Sequence, residues 1–476
     1  MASLMKNYLP YLVPPIFVIL FFFISFSSPL NKYHTLLSPS HHHLKPPASP
    51  SINNFSNPNF TSHHDQQYSS SNFSTLASSN HVKNKSSVQR LEDGLARARA
   101  AIRKAILTKN YTSDREEIYT PRGPVYRNPY AFHQSHIEMV KRMKIWSYRE
   151  GEMPMVHNGP TTYIYSIEGQ FIFELESELS NHSFMAKHPD EAHAFFLPMS
   201  ISKLTDSLYP TYSKGGRFSE TLSRVFTDYV YVLSRKYPYW NRTNGADHFF
   251  VSCHDWAPLI SRIDHHIYDN FMKVLCNANT SEGFKPSRDV SIPEYNLKKF
   301  ELGPPRLGQP PNQRPVLAFF AGAAHGDIRA KLFKHWKEKD NEVLVFEQLP
   351  KNYSYHKIMG ETKFCLCPSG SEVASPRVVE AMRQGCVPVL ISDYYSIPFE
   401  DVLDWTKFSV QIPPSKIPEI KNILKAIPYS KYLTLQKRVM KVSRHFELNR
   451  PAKPFDVFHM VLHSVWLRRL NFRLPF

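Results

Sequence analysis

Residues 362–391 read TKFCLCPSGSEVASPRVVEAMRQGCVPVLI, and the small residues and prolines in this stretch mark out an order of elements. Residues 363–367 are a short apolar run with strand character, and 368–374 form a loop of small and polar residues. Ser375 is expected to be the N-cap of a helix, with Pro376 at the first helical position, where its missing N–H costs nothing. Gly385 ends that helix, and 386–391 (CVPVLI) is the next buried strand. Strand, loop, helix and strand in that order imply a parallel sheet wound with helices, the α/β class.

The same alternation continues outward. Residues 316–320 are apolar and are followed by Gly322, a helix from about 327 to 336 and a strand at 342–346. No glycine follows Gly385, and 416–470 read as a mainly helical tail. Upstream, 301–315 (ELGPPRLGQPPNQRP) hold five prolines and two glycines, the composition of an interdomain linker. Before it, helical segments at 131–143 and 220–235 alternate with extended ones at 144–148, 194–197 and 248–252. The expected organisation is a first Rossmann-like domain at 119–302, a linker at 303–315 and a second such domain at 316–476.

A chain of 476 residues exceeds one ordinary core, which agrees with two domains plus extras. Lys plus Arg number 58 against 41 Asp plus Glu, a net charge of +17. That excess suits an anionic membrane, an acidic polymer or nucleic acid and selects none of them. Five cysteines without a C-x-x-C pair exclude a disulfide scaffold and the usual zinc ribbon or finger.

Residues 9–26 (LPYLVPPIFVILFFFISF) form an uncharged stretch of 18, the lower limit for a bilayer-spanning helix. The expectation is a transmembrane signal-anchor at 9–30, with Lys6 in a cytoplasmic tail at 1–8 and the body in the lumen. A cleaved signal peptide, with Ser25 and Ser27 at cleavage spacing, is the alternative. N-glycosylation sequons at Asn54, Asn59, Asn72, Asn84, Asn110, Asn181, Asn241, Asn279 and Asn352 point to the secretory pathway as well. Residues 31–87, rich in Ser, Asn, His and Pro, are expected to be a disordered stem. In the stem helix and linker at 88–118, Leu91, Leu95, Ala98, Ile102 and Ile106 recur at helical spacing. That helix could pack on the body or on another stem.

Ligands of wound parallel sheets bind beyond the carboxyl ends of the strands. Two turns lie at such places. One is 321–326 (AGAAHG), with Arg329 just inside the next helix; the other is 368–375 (PSGSEVAS), opening the helix that carries Arg377 and Glu380. Free N–H groups at a helix start beside an arginine suit a diphosphate, and Glu380 could accept hydrogen bonds from a ribose diol. The plainer alternative is a small-residue turn and a capped helix whose Glu380 pairs with a lysine. Neither turn has G-x-G-x-x-G or G-x-x-x-x-G-K-[ST], which argues against a dehydrogenase and a P-loop NTPase. D-x-D, H-E-x-x-H and G-x-S-x-G are also absent, so the usual metal clamp, zinc-protease and hydrolase readings fall away. His133 and His136, at i and i+3, lack a third metal-ligand partner and read as structural.

Residues 362–405 (TKFCLCPSGSEVASPRVVEAMRQGCVPVLISDYYSIPFEDVLDW) resemble the signature of the exostosin-type glycosyltransferases, family 47. Residues 155–171 (MVHNGPTTYIYSIEGQF), 188–198 (HPDEAHAFFLP), 247–258 (DHFFVSCHDWAP) and 319–322 (FFAG) are similar to its plant cell-wall branch. The resemblance implies a type II Golgi membrane protein of GT-B architecture, two Rossmann-like domains facing a cleft, preceded by the transmembrane helix and stem. It places the sugar nucleotide on the second domain and the glycan acceptor against the first. Residue by residue, it implies that Glu380 holds the donor ribose and that Gly322, Arg329, Ser375 and Arg377 surround the diphosphate. It also implies a disulfide between Cys365 and Cys386.

The expected activity is inverting, metal-independent transfer from a UDP-sugar to a cell-wall polysaccharide or proteoglycan, with no other cofactor. Asp255, His254 and His157 are the candidate bases, with Asp255 first. UDP-xylose and a galacturonan acceptor are the first guess, because the V-H-x-G-P branch includes a pectic xylosyltransferase. The rival expectation is a non-catalytic Golgi protein that binds acidic polysaccharide or scaffolds a partner. No nucleic acid is expected, and a homo- or hetero-oligomer with other glycosyltransferases is compatible with the sequence.

Overall fold

The computed structural model describes residues 85–111, 119–177, 184–213, 217–298, 302–304 and 306–474, all within one compact unit, His81–Phe476. The expected tail, membrane span, nearly all of the stem, and the sequons at Asn54, Asn59, Asn72, Asn84 and Asn181 lie outside the described residues. Among the described residues no helix is long and apolar enough to cross a membrane.

The first helix, α1 (Ser87–Thr108), starts on a capping box in which Ser86 and Gln89 satisfy each other's backbone N–H groups. It buries Leu91, Leu95 and Ala98 and packs on α2 (Pro129–Arg142). Of the two sequence alternatives, it therefore takes the body. Its Glu92 reaches Arg469, 377 residues further along the chain, through a buried ion pair at 2.7 Å.

The first sheet is built from β1 (Ile145–Ser147), β2 (Ala194–Phe196), β3 (His248–Ser252), β4 (Met272–Leu275) and β5 (Val290–Ser291), in that spatial order and all parallel. Helices α3 (Ser166–Glu176), α4 (Ile201–Tyr212) and α5 (Phe218–Lys236) fall between its strands in the chain. The sequence pattern did not show β4, β5, α3 or α4. Buried Lys273 interrupts the apolar run of β4, and β5 is only two residues long. A disulfide joins Cys253 to Cys276 at the ends of β3 and β4.

The second sheet comprises β6 (Val316–Ala321), β7 (Val343–Phe346), β8 (Thr362–Pro368), β9 (Val387–Ile391) and β10 (Val410–Gln411). Its order is β10-β9-β8-β6-β7, again parallel. Helices α6 (Gly326–Trp336), α7 (Tyr355–Gly360) and α8 (Arg377–Arg383) connect the first four of these strands. The winding direction reverses between β6 and β8, so the loops leaving their carboxyl ends part from each other at a topological switch point. Those loops are the two turns singled out in the sequence. Cys365 on β8 and Cys386 before β9 are disulfide-bonded, with Cα atoms 5.9 Å apart.

Two sequence expectations need correction here. Helix α8 begins one residue late, with Pro376 rather than Ser375 as its cap. The Ser375 carbonyl closes the first turn by accepting from Val378 N at 3.2 Å, and its hydroxyl is buried with no partner among the described residues. The helical tail does not stay with the second domain either. After α9 (Tyr429–Val442), helix α10 (Val457–Leu470) returns to the first sheet. There Arg469 Nε donates to His193 O at 3.0 Å and Arg468 Nη2 to Asp289 O at 2.8 Å. The boundary drawn at 316–476 therefore gives the second domain a helix that packs on the first.

Candidate active site

The carboxyl ends of the two sheets meet at a cleft of about 840 Å³. On the second-domain side, Gly322 leaves β6 against the Arg377 guanidinium, and any Cβ at that position would collide with it. Arg377 donates from Nε and Nη2 to Ala321 O at 3.2 and 3.0 Å. Gly326, at φ +76°, abuts the Gly370 carbonyl, so the two switch-point loops touch where a side chain would not fit. Arg329 and Arg377 both lie over the Phe320 ring, at 5.8 and 5.0 Å from its centre. Burial and the neighbouring Arg377 bring the Arg329 guanidinium down to about 10, and its Nε has no partner among the described residues. Neither arginine forms an ion pair with a described residue. Two such unneutralised guanidiniums attract an anion.

Glu380 stands one turn into α8 and lines the same cleft. Its Oε2 accepts from the Tyr355 hydroxyl at 2.6 Å. No lysine pairs with it among the described residues, so the alternative of a surface pair is not what the fold builds. Burial and the adjacent carboxylate push the Tyr355 phenol well above its ordinary range.

The three candidate bases separate. Asp255, just past β3, lines the cleft. Its side chain opens to cleft solvent although protein surrounds most of it, and that burial raises its pKa. Asn277 Nδ2 donates to it at 3.3 Å, and the Tyr165 hydroxyl is its second partner. Asn277 also accepts from Ala374 N of the second domain at 3.3 Å, tying the two halves across the cleft floor. His254 is not on the cleft wall: its Nδ1 accepts from Trp256 N at 3.2 Å, and burial lowers its pKa to about 4. His157 is also outside it, held by Glu176 at 3.0 Å, whose carboxylate raises the imidazole pKa.

Sequence reasoning missed two carboxyls of the cleft. Glu294 follows β5 and is 6% exposed; burial and Asp255 raise it to about 8 against the pull of Arg377 and Arg329. The signal was available, since Glu294 is the single charged residue in the run VSIPEYNL. Glu372 lies in the quoted loop itself, raised to about 8 by burial and Asp255. Among the described residues no three His, Cys, Asp or Glu side chains gather closely enough to hold a metal ion. Of the described sequons, Asn110, Asn241 and Asn352 are exposed. Asn279 is 9% exposed, and its Oδ1 accepts from Ser281 N and Oγ at 3.0 and 2.8 Å.

Residues 123–427 match the exostosin GT47 domain. A "probable glycosyltransferase" of Arabidopsis thaliana is 48% identical over 407 residues, covering 85% of this chain and 77% of that protein. A second from the same plant is 46% identical over 388 residues, 81% of this chain and 82% of its own length. More distantly, a "probable beta-1,4-xylosyltransferase" of A. thaliana is 29% identical over 312 residues, 61% of this chain and 74% of that protein. The two parallel sheets fit the GT-B type of α/β fold, and enzymatic relatives displace the expectation of a non-catalytic scaffold. The chain belongs to the exostosin GT47 family and is a glycosyltransferase.

Proposed function

We propose that this enzyme transfers a glycosyl group from a UDP-sugar to a cell-wall polysaccharide, with inversion and without a metal, as a type II protein of the Golgi lumen. The observation that carries the donor side is the convergence of Arg329, Arg377 and Glu380 on one cleft at the switch point. Glu380 would accept ribose hydroxyls beside Tyr355, and the two guanidiniums would take the diphosphate. As the bond from the anomeric carbon to phosphate oxygen breaks, its electron pair goes to the diphosphate, where the arginines stabilise the growing charge. The acceptor hydroxyl oxygen forms the new bond from the opposite face, and its proton goes to Asp255. Asp255 is favoured over His254 and His157 because it alone of the three reaches the cleft wall.

The test is the purified chain incubated with a panel of UDP-sugars and galacturonan oligosaccharides, UDP-xylose first, with UDP binding followed by calorimetry. Saturable UDP binding and transfer from one donor are expected. Neither binding nor turnover with any donor would remove the reading.

A further inference from the structure

We propose that Asn277 is a positioning residue for the transfer, holding the Asp255 carboxylate toward the acceptor hydroxyl and linking it to the loop that opens the donor site. The inference rests on the Asp255 and donor-site readings above and adds the residue through which the two halves of the cleft act together.

Asn277 stands two residues past β4, lines the cleft and is 2% exposed. Its Nδ2 donates to Asp255 Oδ1 at 3.3 Å, and its Oδ1 accepts from Ala374 N at 3.3 Å. Ala374 belongs to the 368–375 loop, just before the helix that carries Arg377 and Glu380. The orientation of the amide is decided by its partners. A backbone N–H can only donate, so it takes the amide oxygen, and the amide NH₂ is left for the carboxylate. An ionised aspartate at this position would lack the donor, and an aliphatic residue would lack both groups.

The chain around Asn277 is fixed on both sides. The Cys253–Cys276 disulfide joins the ends of β3 and β4, two residues before Asp255 and one before Asn277. Past Asn277, Ala278 O accepts from Ser396 N and Tyr394 O accepts from Thr280 N, both at 3.0 Å, which ties this segment to the second domain. The donor loop also holds its own shape, with Ser369 Oγ donating to Val373 O at 2.8 Å and Gly370 N to Glu372 O at 3.0 Å. Loss of the Asn277 amide therefore frees one carboxylate rather than a whole loop. Misplacing a reacting group by about 1 Å costs on the order of a hundredfold in rate.

Of the groups around Asp255, the Tyr165 hydroxyl and the Asn277 amide favour its ionised form and burial opposes it; Glu294 and Glu372 are the neighbouring carboxyls. A general base must be ionised to take the acceptor proton. Removing Asn277 takes away a hydrogen bond to the charged form, so the acidic limb of the turnover profile moves to higher pH. A residue that only packed in the cleft floor would leave that limb where it is.

The test compares the full chain with Asn277→Ala and with Asn277→Leu, whose side chain has nearly the shape of the amide and fills the hole that alanine leaves. Transfer is followed from about pH 5 to 9 with the UDP-sugar that the panel identifies, beside UDP calorimetry and a thermal melt. In a folded variant kcat should fall about ten- to a hundred-fold and the acidic limb should move up by about one pH unit. UDP affinity should stay within about threefold. An unchanged kcat, a loss of kcat without movement of the limb, a loss confined to UDP affinity, or failure of both variants to fold would overturn the inference. Full turnover by Asp255→Asn would instead remove the base assignment, and failure of UDP to bind the unaltered chain would remove the donor site. Either takes the inference with it and is told apart by its own measurement.

Discussion

Glu380 concentrates the residue-scale argument. A carboxylate can accept two hydroxyl hydrogen bonds at once, here one from Tyr355 and others from a ribose, whereas an amide presents a single oxygen and an unwanted donor. Hydrogen bonds to a charged group contribute roughly 1.5–3 kcal/mol, so Glu380→Gln should weaken UDP binding by about ten- to a hundred-fold. Because the side chain is only half buried, the melting temperature should barely move. Calorimetry with UDP beside a thermal melt separates the two effects, and unchanged affinity would show that the ribose sits elsewhere. This residue was legible in the sequence because it sits one helical turn past an identifiable loop. Glu294 was not, because its meaning depends on Asp255 and the two arginines, which are brought to it by three other strands. A lone acid in an uncharged run shows that something is unusual and does not show what faces it.

Elements were legible in proportion to their length and periodicity. The apolar runs of β6, β8 and β9 and the long faces of α2 and α5 were read correctly to within a few residues. The two-residue β5 and the Lys273-interrupted β4 were not, since such strands exist through their neighbours' hydrogen bonds rather than their own pattern. The tail shows the same limit, since helicity near 457–470 was plain but its destination on the first sheet was not. Two elements can be tested directly. The Cys365–Cys386 disulfide closes a loop with a separation of 21 residues around the switch-point segment, so Cys365→Ser with Cys386→Ser should lower unfolding stability by about 2–4 kcal/mol, read by urea titration. The tie between α1 and α10 rests on Glu92, which accepts from Arg469 at 2.7 Å and from Leu474 N at 3.1 Å. Glu92→Ala leaves the buried guanidinium unpaired and should cost about 3–5 kcal/mol, again by urea titration; a loss below 1 kcal/mol, roughly that of an exposed pair, would mean the helix is not anchored this way.

At the scale of the whole molecule, two sets of buried titratable groups oppose each other in pH dependence. His193, His445 and His463 are lowered by burial from 6.5 to about 3. Their folded pKa lies below the unfolded one, so the stability they allow is complete above pH 6.5 and is lost as pH falls toward 3. Glu294 and Glu372 are raised by burial from 4.5 to about 8. Between those values the native state holds the extra protons, so stability falls as pH rises. Each group contributes a slope of about 1.4 kcal/mol per pH unit inside its own window. From about pH 4.5 to 6.5 the three histidines outweigh the two carboxyls by one group, so stability rises by about 1.4 kcal/mol per pH unit. From 6.5 to 8 these three histidines are neutral in both states and the two carboxyls give a loss of up to about 3 kcal/mol per pH unit, in the same direction as His157, whose pKa Glu176 raises. The expected profile is a stability maximum near pH 6.5, with a decline through pH 8 on one side and, on the other, a shallow fall that steepens below pH 4.5. Melting temperatures across pH 4 to 9 check it, and Glu294→Gln should flatten the alkaline limb by removing one of its two ionisations. A melting temperature that rose between pH 6.5 and 8 would show that burial in the cleft does not hold Glu294 and Glu372 protonated.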